Sequence, residues 1–237
     1  MPNVAIVTGG TGSIGAAICA RFQSLGATVV VADSDARPVP AGQTFVQCDV
    51  TKPDSLRRMF DQAAALGTLT VLVAAHGILA ETPAGGSDLD IVSRVIDVDL
   101  KGVAYLCDLA GPRMADGGSI VLLSSLSAFM GRVRNGYAYQ ASKAGVESLT
   151  RAFAVAYGPR RIRVNCIAPG FMAAPMKGPG AQLRQRQGGN DVVVQTIPIG
   201  RLVEASEVAN ATAFLCSQEA AAITGIVMPI DGGQRAY

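Results

Sequence analysis

The chain has 237 residues, of which 49% are hydrophobic and 16% charged, so we expect a single domain over residues 1–237 with a well-buried core. A formal net charge of +2 is too small to indicate nucleic acid as the main partner. No apolar run approaches the length of a membrane span, and no leader precedes the first apolar run, which predicts a soluble, cytoplasmic protein.

Segments typical of strands and of helices alternate along the chain. The predicted strands are short apolar or β-branched runs at 4–8, 28–32, 44–48, 69–74, 119–123, 162–167 and 225–230. The predicted helices lie between them, one ending near residue 25 and the others at 53–65, 88–114, 137–157 and 204–216. Apolar strands separated by helices favour a parallel sheet covered on both faces, which is the doubly wound, Rossmann-type α/β/α arrangement.

Two connections depart from this alternation. Residues 34–43 contain Pro38 and Pro40 and are too short and broken for a full helix. Residues 171–200 are rich in Gly, Gln and Pro, which predicts an ordered flap or a mobile loop beside the substrate.

The cysteines and the histidine do not indicate a metal site. The five cysteines are odd in number and far apart, and His76 is the only histidine, so neither a disulfide framework nor a zinc site is expected. Each cysteine lies in an apolar run and is interpreted as a small core residue.

The turn at residues 7–15, VTGGTGSIG, has the glycine spacing of a phosphate-binding turn. It lies between a strand and a helix, where glycines let the backbone approach a pyrophosphate and the helix start offers free N–H groups. The candidate cofactor-binding residues in it are Gly9, Thr11, Gly12, Ser13, Ile14 and Gly15. Ser13 could offer both its N–H and its hydroxyl to the pyrophosphate. The alternative is a turn that only packs the helix on the strand.

Two acidic residues end the next strands. Asp33 follows Gly15 by 18 residues, where a carboxylate can accept both ribose hydroxyls of NAD and repel the 2′-phosphate of NADP. The alternative is that Asp33 is only a turn residue. The only cation nearby in the sequence is Arg37, which follows the acidic residue instead of replacing it. Asp49 ends the third strand, where it could reach the adenine amino group or simply cap the strand. The sequence therefore favours NAD over NADP.

A tyrosine and a lysine four residues apart, Tyr139 and Lys143, share one face of a predicted helix. A phenol with a pKa near 10 is a poor catalyst at neutral pH, but an ammonium about 4 Å away could lower its pKa enough for acid–base work. The alternative is an exposed helix pair. Ser125 follows a predicted strand at the edge where ligands of such sheets bind, and its hydroxyl could hold a carbonyl oxygen, although serine at strand ends is ordinary.

These residues occur in an order that is more specific than any one of them. The motifs run from Val4 to Gly233 and comprise the Gly-rich turn, Asp33, Asp49-Val50, Ser125, Tyr139-x-x-x-Lys143, Val164-Asn165, Pro169-Gly170 and Ile230-Asp231-Gly232-Gly233. Together they resemble the short-chain dehydrogenase/reductase family, in its short, single-domain branch.

The resemblance implies an activity and a set of roles. Ser125 would orient the substrate oxygen, Tyr139 would exchange a proton with it, and Lys143 would lower the pKa of Tyr139 and bind the nicotinamide ribose. Hydride would pass between the substrate carbon and nicotinamide C4. Further cofactor contacts are implied for Val50, Ala75, Gly77, Pro169, Gly170 and the main-chain N–H of Met172. The implied strand order is 3-2-1-4-5-6-7, in a homotetramer or homodimer.

Four positions depart from the family pattern. The turn reads T-G-x-x-G-x-x-G, whereas the short branch usually reads T-G-x-x-x-G-x-G. Residues 74–77 are Ala-Ala-His-Gly in place of Asn-Asn-Ala-Gly, which keeps Gly77. We expect His76, near the cofactor, to be a partly buried, hydrogen-bonded residue rather than a catalyst. Asp99 stands where the family has an Asn that anchors a proton-relay water. Its carboxylate could strengthen the charge of Lys143 or draw that cation away from Tyr139, and we expect the relay to persist. Ala174 replaces a Thr that often bonds the cofactor.

We therefore expect an NAD-dependent oxidoreductase acting on a small secondary alcohol or ketone. Specificity is expected to reside in residues 128–136 and 171–200, where Arg184 and Arg186 could receive an anionic substrate or belong to a solvated loop helix. One alternative is an NADPH-dependent 3-ketoacyl-type reductase, which Asp33 opposes. The other is a nucleotide-binding regulatory protein with little turnover, which the departures support and the Ser125, Tyr139 and Lys143 set opposes.

Overall fold

A parallel sheet forms the centre of the molecule. The computed structural model describes residues 3–130, 136–174 and 193–236. The strands are β1 (Asn3–Thr8), β2 (Thr28–Asp33), β3 (Gln43–Gln47), β4 (Thr68–Ala74), β5 (Ser119–Leu123), β6 (Arg163–Pro169) and β7 (Val227–Ile230). They pair in the order β3-β2-β1-β4-β5-β6-β7, with every pairing parallel. The predicted fold class and strand order are confirmed, and individual strand limits differ by a residue or two.

Helices cover both faces of this sheet. They are α1 (Ser13–Ser24), α2 (Pro53–Ala64), α3 (Leu89–Ile96), α4 (Gly102–Ala110), α5 (Tyr137–Tyr157) and α6 (Ala205–Cys216). Side chains alternate along β1: Val4 and Ile6 pack toward α2, α4 and α5, whereas Ala5 and Val7 pack toward α1 and α6. Because both faces are buried, the strands read as continuous apolar runs, and burying each large aliphatic side chain contributes about 1.5–3 kcal/mol.

The helix predicted over 88–114 is wrong as a single α-helix. A π-helical turn, Asp97–Lys101, separates α3 from α4, and a short 3₁₀ turn follows α4 at Gly111–Arg113. The π turn brings Asp99 into the interior, where it is 0% exposed. At Gly102 a Cβ atom would lie 2.8 Å from the Val50 side chain, so glycine lets α4 start close to the end of β3. Such π turns are frequent at functional sites.

The two irregular connections lie at the carboxyl ends of the strands. Residues 34–42 form neither helix nor strand, as predicted. After β6, Met172 forms a parallel bridge with Val203, and the N–H of Ala173 donates to the Val203 carbonyl at 2.8 Å. Residues 175–192 of the predicted substrate loop, including Arg184 and Arg186, lie outside the described residues, as do residues 131–135.

The cysteines are core residues, as their apolar surroundings in the sequence predicted. All five cysteines are separate thiols, of which only Cys216 is not fully buried. Across the described ranges, no helix combines the length and apolar character that crossing a membrane requires.

Candidate active site

The strand order places a crevice at the carboxyl edge of the sheet. Chain connections run in opposite directions from β1, toward β2 on one side and β4 on the other, and ligands of doubly wound sheets bind where this reversal occurs. A cleft of about 1150 Å³ lies there. Its lining includes the Gly-rich turn and Asp33 at one end and Ser125, Tyr139 and Lys143 at the other. The sequence-predicted nucleotide and catalytic residues are thus brought to one cleft.

The turn between β1 and α1 depends on two glycines. Gly9 has φ +67°, and a Cβ atom there would lie 2.6 Å from the His76 main chain. At Gly15 a Cβ atom would collide with the Gly9 carbonyl oxygen. The N–H of Gly12 donates to that same carbonyl at 3.1 Å, which closes the turn. Larger side chains at positions 9 and 15 would therefore open it.

The start of α1 is suited to an anionic group. Gly12 is the N-cap residue, and no described side chain caps this helix. The first helical bond runs from the N–H of Ala16 to the Gly12 carbonyl at 2.8 Å, so the N–H groups of Ser13, Ile14 and Gly15 have no partner within the helix. Three free N–H groups at the positive end of a helix, lining the cleft, fit the pyrophosphate of a dinucleotide.

Asp33 is held beside this turn. Its Oδ2 accepts hydrogen bonds from the Thr11 N–H at 3.1 Å and the Thr11 hydroxyl at 2.6 Å, and its Oδ1 accepts from the Ser34 N–H at 2.9 Å. Arg37 pairs with Asp35 at 3.4 Å. The carboxylate of Asp33 is thus fixed at the cleft, with the neighbouring cation engaged elsewhere.

Asp49 lies in the lining of the same cleft but also caps a turn. Its Oδ1 accepts from both the N–H and the hydroxyl of Thr51, at 2.9 and 2.7 Å. The capping alternative is therefore realised. Val50 lies next to it in the lining.

Ser125, Tyr139 and Lys143 meet at the other end. Ser125 follows β5 and accepts a hydrogen bond from the Ser127 N–H at 3.2 Å. Tyr139 and Lys143 are 7% and 3% exposed on α5, and the Lys143 Nζ lies 5.6 Å from the centre of the Tyr139 ring. The Nζ donates to the Leu123 carbonyl at 3.2 Å. The alternative of an exposed helix pair is wrong, because both side chains are buried in the cleft wall.

The charges around Tyr139 do not lower its pKa in the way the sequence predicted. Burial raises the pKa of the Tyr139 phenol above its ordinary value; Lys143 lowers it, Asp99 raises it, and a hydrogen bond with Ser125 lowers it. Burial also acts to lower the pKa of Lys143, but Asp99 and Tyr139 together raise it, so Lys143 stays charged. The prediction that the pKa of Tyr139 is lowered is therefore wrong for the polypeptide by itself. Burial of the phenol and the charge of Asp99 together outweigh the effect of the Lys143 ammonium.

His76 is a neutral, buried side chain. Its Nδ1 lies 2.7 Å from the Thr8 hydroxyl, which itself donates to the Val73 carbonyl at 3.3 Å. Burial, reinforced by the charge of Lys143, lowers the pKa of His76 to about 3. The predicted hydrogen-bonded role agrees with this geometry.

The other predicted cofactor contacts line the cleft from neighbouring strand ends. Ala75 donates its N–H to the Thr8 carbonyl at 3.0 Å, which joins β4 to the Gly-rich turn. Pro169, Gly170 and Met172 line the opposite wall. Among the described residues, no group of His, Cys, Asp and Glu side chains could hold a metal ion.

Ser124 and Glu147 support the site, and the sequence did not predict this role for them. The Ser124 hydroxyl has two acceptors within reach of its one hydrogen, the Glu147 carboxylate at 2.8 Å and the Lys143 carbonyl at 3.1 Å. These contacts fix the end of β5 against the helix that carries Tyr139. A signal was present, because Glu147 continues the four-residue spacing of Tyr139 and Lys143 on one helix face.

Comparisons with known proteins agree with this architecture. The family model described as enoyl-(acyl carrier protein) reductase matches residues 9–235. The cis-4-hydroxycyclohexanecarboxylate dehydrogenase of Sinomonas cyclohexanicum is 41% identical over 250 residues, covering 99% of this chain and 97% of that protein. The 4-formylbenzenesulfonate dehydrogenase of Comamonas testosteroni is 32% identical over 245 residues, with coverages of 98% and 97%. The structure of Thermoplasma acidophilum aldohexose dehydrogenase superposes with a TM-score of 0.89 at 31% identity, covering 100% of this chain and 95% of that one.

The fold, the cleft and these matches define a class of protein. The chain belongs to the short-chain dehydrogenase/reductase family. Its relatives include dehydrogenases that act on CH–OH groups, which supports an oxidoreductase, and the dehydrogenases of this family use nicotinamide cofactors.

Proposed function

We propose that this protein is an NAD-dependent dehydrogenase that interconverts a small secondary alcohol and its ketone. The observation that carries the proposal is the burial of Tyr139 beside Lys143 and Ser125 in a cleft whose other end presents Asp33 and the start of α1. A purely regulatory nucleotide-binding protein does not need a buried acid–base pair in its cleft.

The side chains divide the work of alcohol oxidation. Ser125 and Tyr139 hold the substrate oxygen, and Tyr139 accepts its proton as the C–O bond gains double-bond character. Lys143, charged and fixed by the Leu123 carbonyl, favours the phenolate form of Tyr139. The nicotinamide group supplies, when bound, the acceptor for the hydride that leaves the carbinol carbon. Ketone reduction is the same sequence reversed.

The proposed substrate class is a ring alcohol that carries an acid group. Two relatives are named for compounds that join a ring, an alcohol or aldehyde, and a carboxylate or sulfonate. Purified protein should therefore be mixed with NAD and a panel of secondary alcohols, including 4-hydroxycyclohexanecarboxylate and its uncharged methyl ester. The proposal expects reduced nicotinamide to form, faster with the acid than with the ester. Absence of turnover across the panel in both directions would contradict the proposed function.

We expect Asp33→Asn to weaken the preference for NAD. The amide keeps an oxygen for Thr11 but removes the charge that binds the ribose hydroxyls and repels a 2′-phosphate. Hydrogen bonds to charged groups contribute about 1.5–3 kcal/mol, so the ratio of kcat/KM for NAD over NADP should fall by at least about tenfold. Steady-state rates with both cofactors measure this.

Asp61→Asn is the matched control, because Asp61 is an exposed carboxylate on α2 that does not line the cleft. It should leave the cofactor ratio near that of the wild type. An unchanged ratio in Asp33→Asn would show that another group selects the cofactor.

The remaining expectations stay predictions. These are a single domain, a homotetramer or homodimer, and residence in the cytoplasm.

A further inference from the structure

A buried ion pair lies behind the proposed catalytic tyrosine. The Lys143 Nζ and the Asp99 Oδ2 are 3.6 Å apart, with side chains 4% and 0% exposed. The Asp99 Oδ1 accepts a hydrogen bond from the Ile78 N–H at 2.8 Å. The carboxylate is thus anchored by the segment after β4 and faces the ammonium of α5.

Two features of the chain make room for this pair. The π turn between α3 and α4 carries Asp99 into the interior. At Gly77 a Cβ atom would lie 3.1 Å from the Lys143 Nζ and 3.2 Å from the Asp99 Oδ2, so a side chain there would crowd both charged groups.

The contacts of Asp99 stabilise its ionised form against the burial that raises its pKa. Its Oδ2 has no hydrogen-bond partner in the described part of the chain, so a proton there would be a buried donor with no acceptor. The ionised oxygen has the ammonium of Lys143 beside it. Burial raises the pKa of Asp99, while Lys143 and the Ile78 N–H act in the opposite direction.

We propose that Asp99 is a positioning residue that withholds part of the positive charge of Lys143 from Tyr139, and so sets the pH at which Tyr139 can accept the substrate proton. An ammonium balanced by a carboxylate at 3.6 Å stabilises a phenolate less than a lone ammonium does. The consequence is a dehydrogenase whose alcohol oxidation requires a more alkaline pH than the Tyr139–Lys143 pair alone would need. The effect on alcohol oxidation rests on the proposed function.

The other titratable groups that face this pair are neutral near pH 7. His76 has a pKa lowered to about 3 by burial and by Lys143. Cys166, on β6, faces Lys143 with a pKa that burial raises to about 12. Tyr139 itself is protonated. Among the described groups that act on the pKa of Lys143, Asp99 is therefore the one that is negatively charged near pH 7.

The test is the titration of Tyr139 in wild-type protein and in Asp99→Asn. The chain has five tyrosines, so the near-ultraviolet absorbance of tyrosinate is recorded against pH for each protein and for its Tyr139→Phe derivative. The difference isolates Tyr139 and needs neither turnover nor a substrate. The second readout is the pH profile of kcat for alcohol oxidation. Asp108→Asn, an exposed carboxylate on α4, is the control.

We expect Asp99→Asn to shift both the Tyr139 titration and the acidic limb of the profile to lower pH, by about one pH unit. Asp108→Asn should shift neither. An unchanged titration, or a shift to higher pH, would overturn the proposal. If the Asn variant does not fold, Asp99→Ser removes the same charge and is measured instead. A protein that oxidises no alcohol would contradict the proposed function, while the titration would still decide the role of Asp99.

Discussion

Tyr139→Phe is expected to lower kcat for alcohol oxidation by at least about 10³-fold while the fold and NAD binding persist. Phenylalanine keeps the ring, which packs with Val95 and Ala138, and removes only the hydroxyl that we propose accepts the substrate proton. A residue 7% exposed loses little packing in this exchange. Turnover is followed through reduced nicotinamide, and NAD binding by calorimetry.

Tyr137→Phe is the control for this variant. Tyr137 lies two residues earlier on α5 and is 44% exposed, so losing its hydroxyl should leave kcat near the wild-type value. Near-normal activity in Tyr139→Phe would assign the proton transfer to another group.

The second large effect is expected from Lys143→Met, which should abolish turnover and destabilise the protein. Removing the cation leaves the Asp99 carboxylate buried without a countercharge, and breaking a buried pair in this way costs about 3–5 kcal/mol. Thermal and denaturant unfolding at neutral pH measure this loss. Lys101→Met is the control, because Lys101 pairs with Asp97 at 2.7 Å but is half exposed, and exposed pairs contribute about 1 kcal/mol or less.

The pH dependence of Lys143→Met follows from the pKa of Asp99, which burial raises and Lys143 lowers, so that removing Lys143 raises it further. A carboxyl whose folded pKa lies above its unfolded value favours folding at low pH, and this contribution is lost as pH rises through the folded pKa. The deficit relative to wild type should therefore be smallest in acid and largest at neutral pH.

Adding Asp99→Asn to Lys143→Met separates stability from catalysis. The double variant has no buried uncompensated charge, so its free energy of unfolding should recover much of the loss. Its turnover should stay absent, because nothing then favours the phenolate of Tyr139. Recovery of turnover in the double variant would contradict the role we propose for Lys143.

Local patterns were sufficient to predict most of the fold. Apolar strand runs, the turn at residues 7–15 and the proline-broken connection after Asp33 each report a local preference that the folded chain retains. Strand order came from the resemblance of the ordered motifs, since periodicity does not specify which strands are neighbours. The sequence also predicted that both groups of site residues lie at one edge of the sheet, because the carboxyl ends of parallel strands share that edge.

The errors have a common physical origin. The π turn Asp97–Lys101 contains neither proline nor glycine, so no helix-breaking residue in the sequence marks it. The pKa of Tyr139 depends on desolvation and on Asp99, which is 40 residues away in sequence and arrives through that same π turn. Spacing predicted the Tyr139–Lys143 contact, but burial and the third charge are properties of the packed molecule.

Hydride transfer from a carbinol carbon at this cleft can be followed with deuterium. The panel alcohol with the fastest turnover is prepared with deuterium on its carbinol carbon and incubated with the protein and NAD, and the reduced nicotinamide is examined by mass spectrometry. We predict that the deuterium is found on the nicotinamide ring with wild-type protein and that Tyr139→Phe forms almost none of this product. Deuterium that remains in the alcohol or appears in water, with NAD bound, would contradict it.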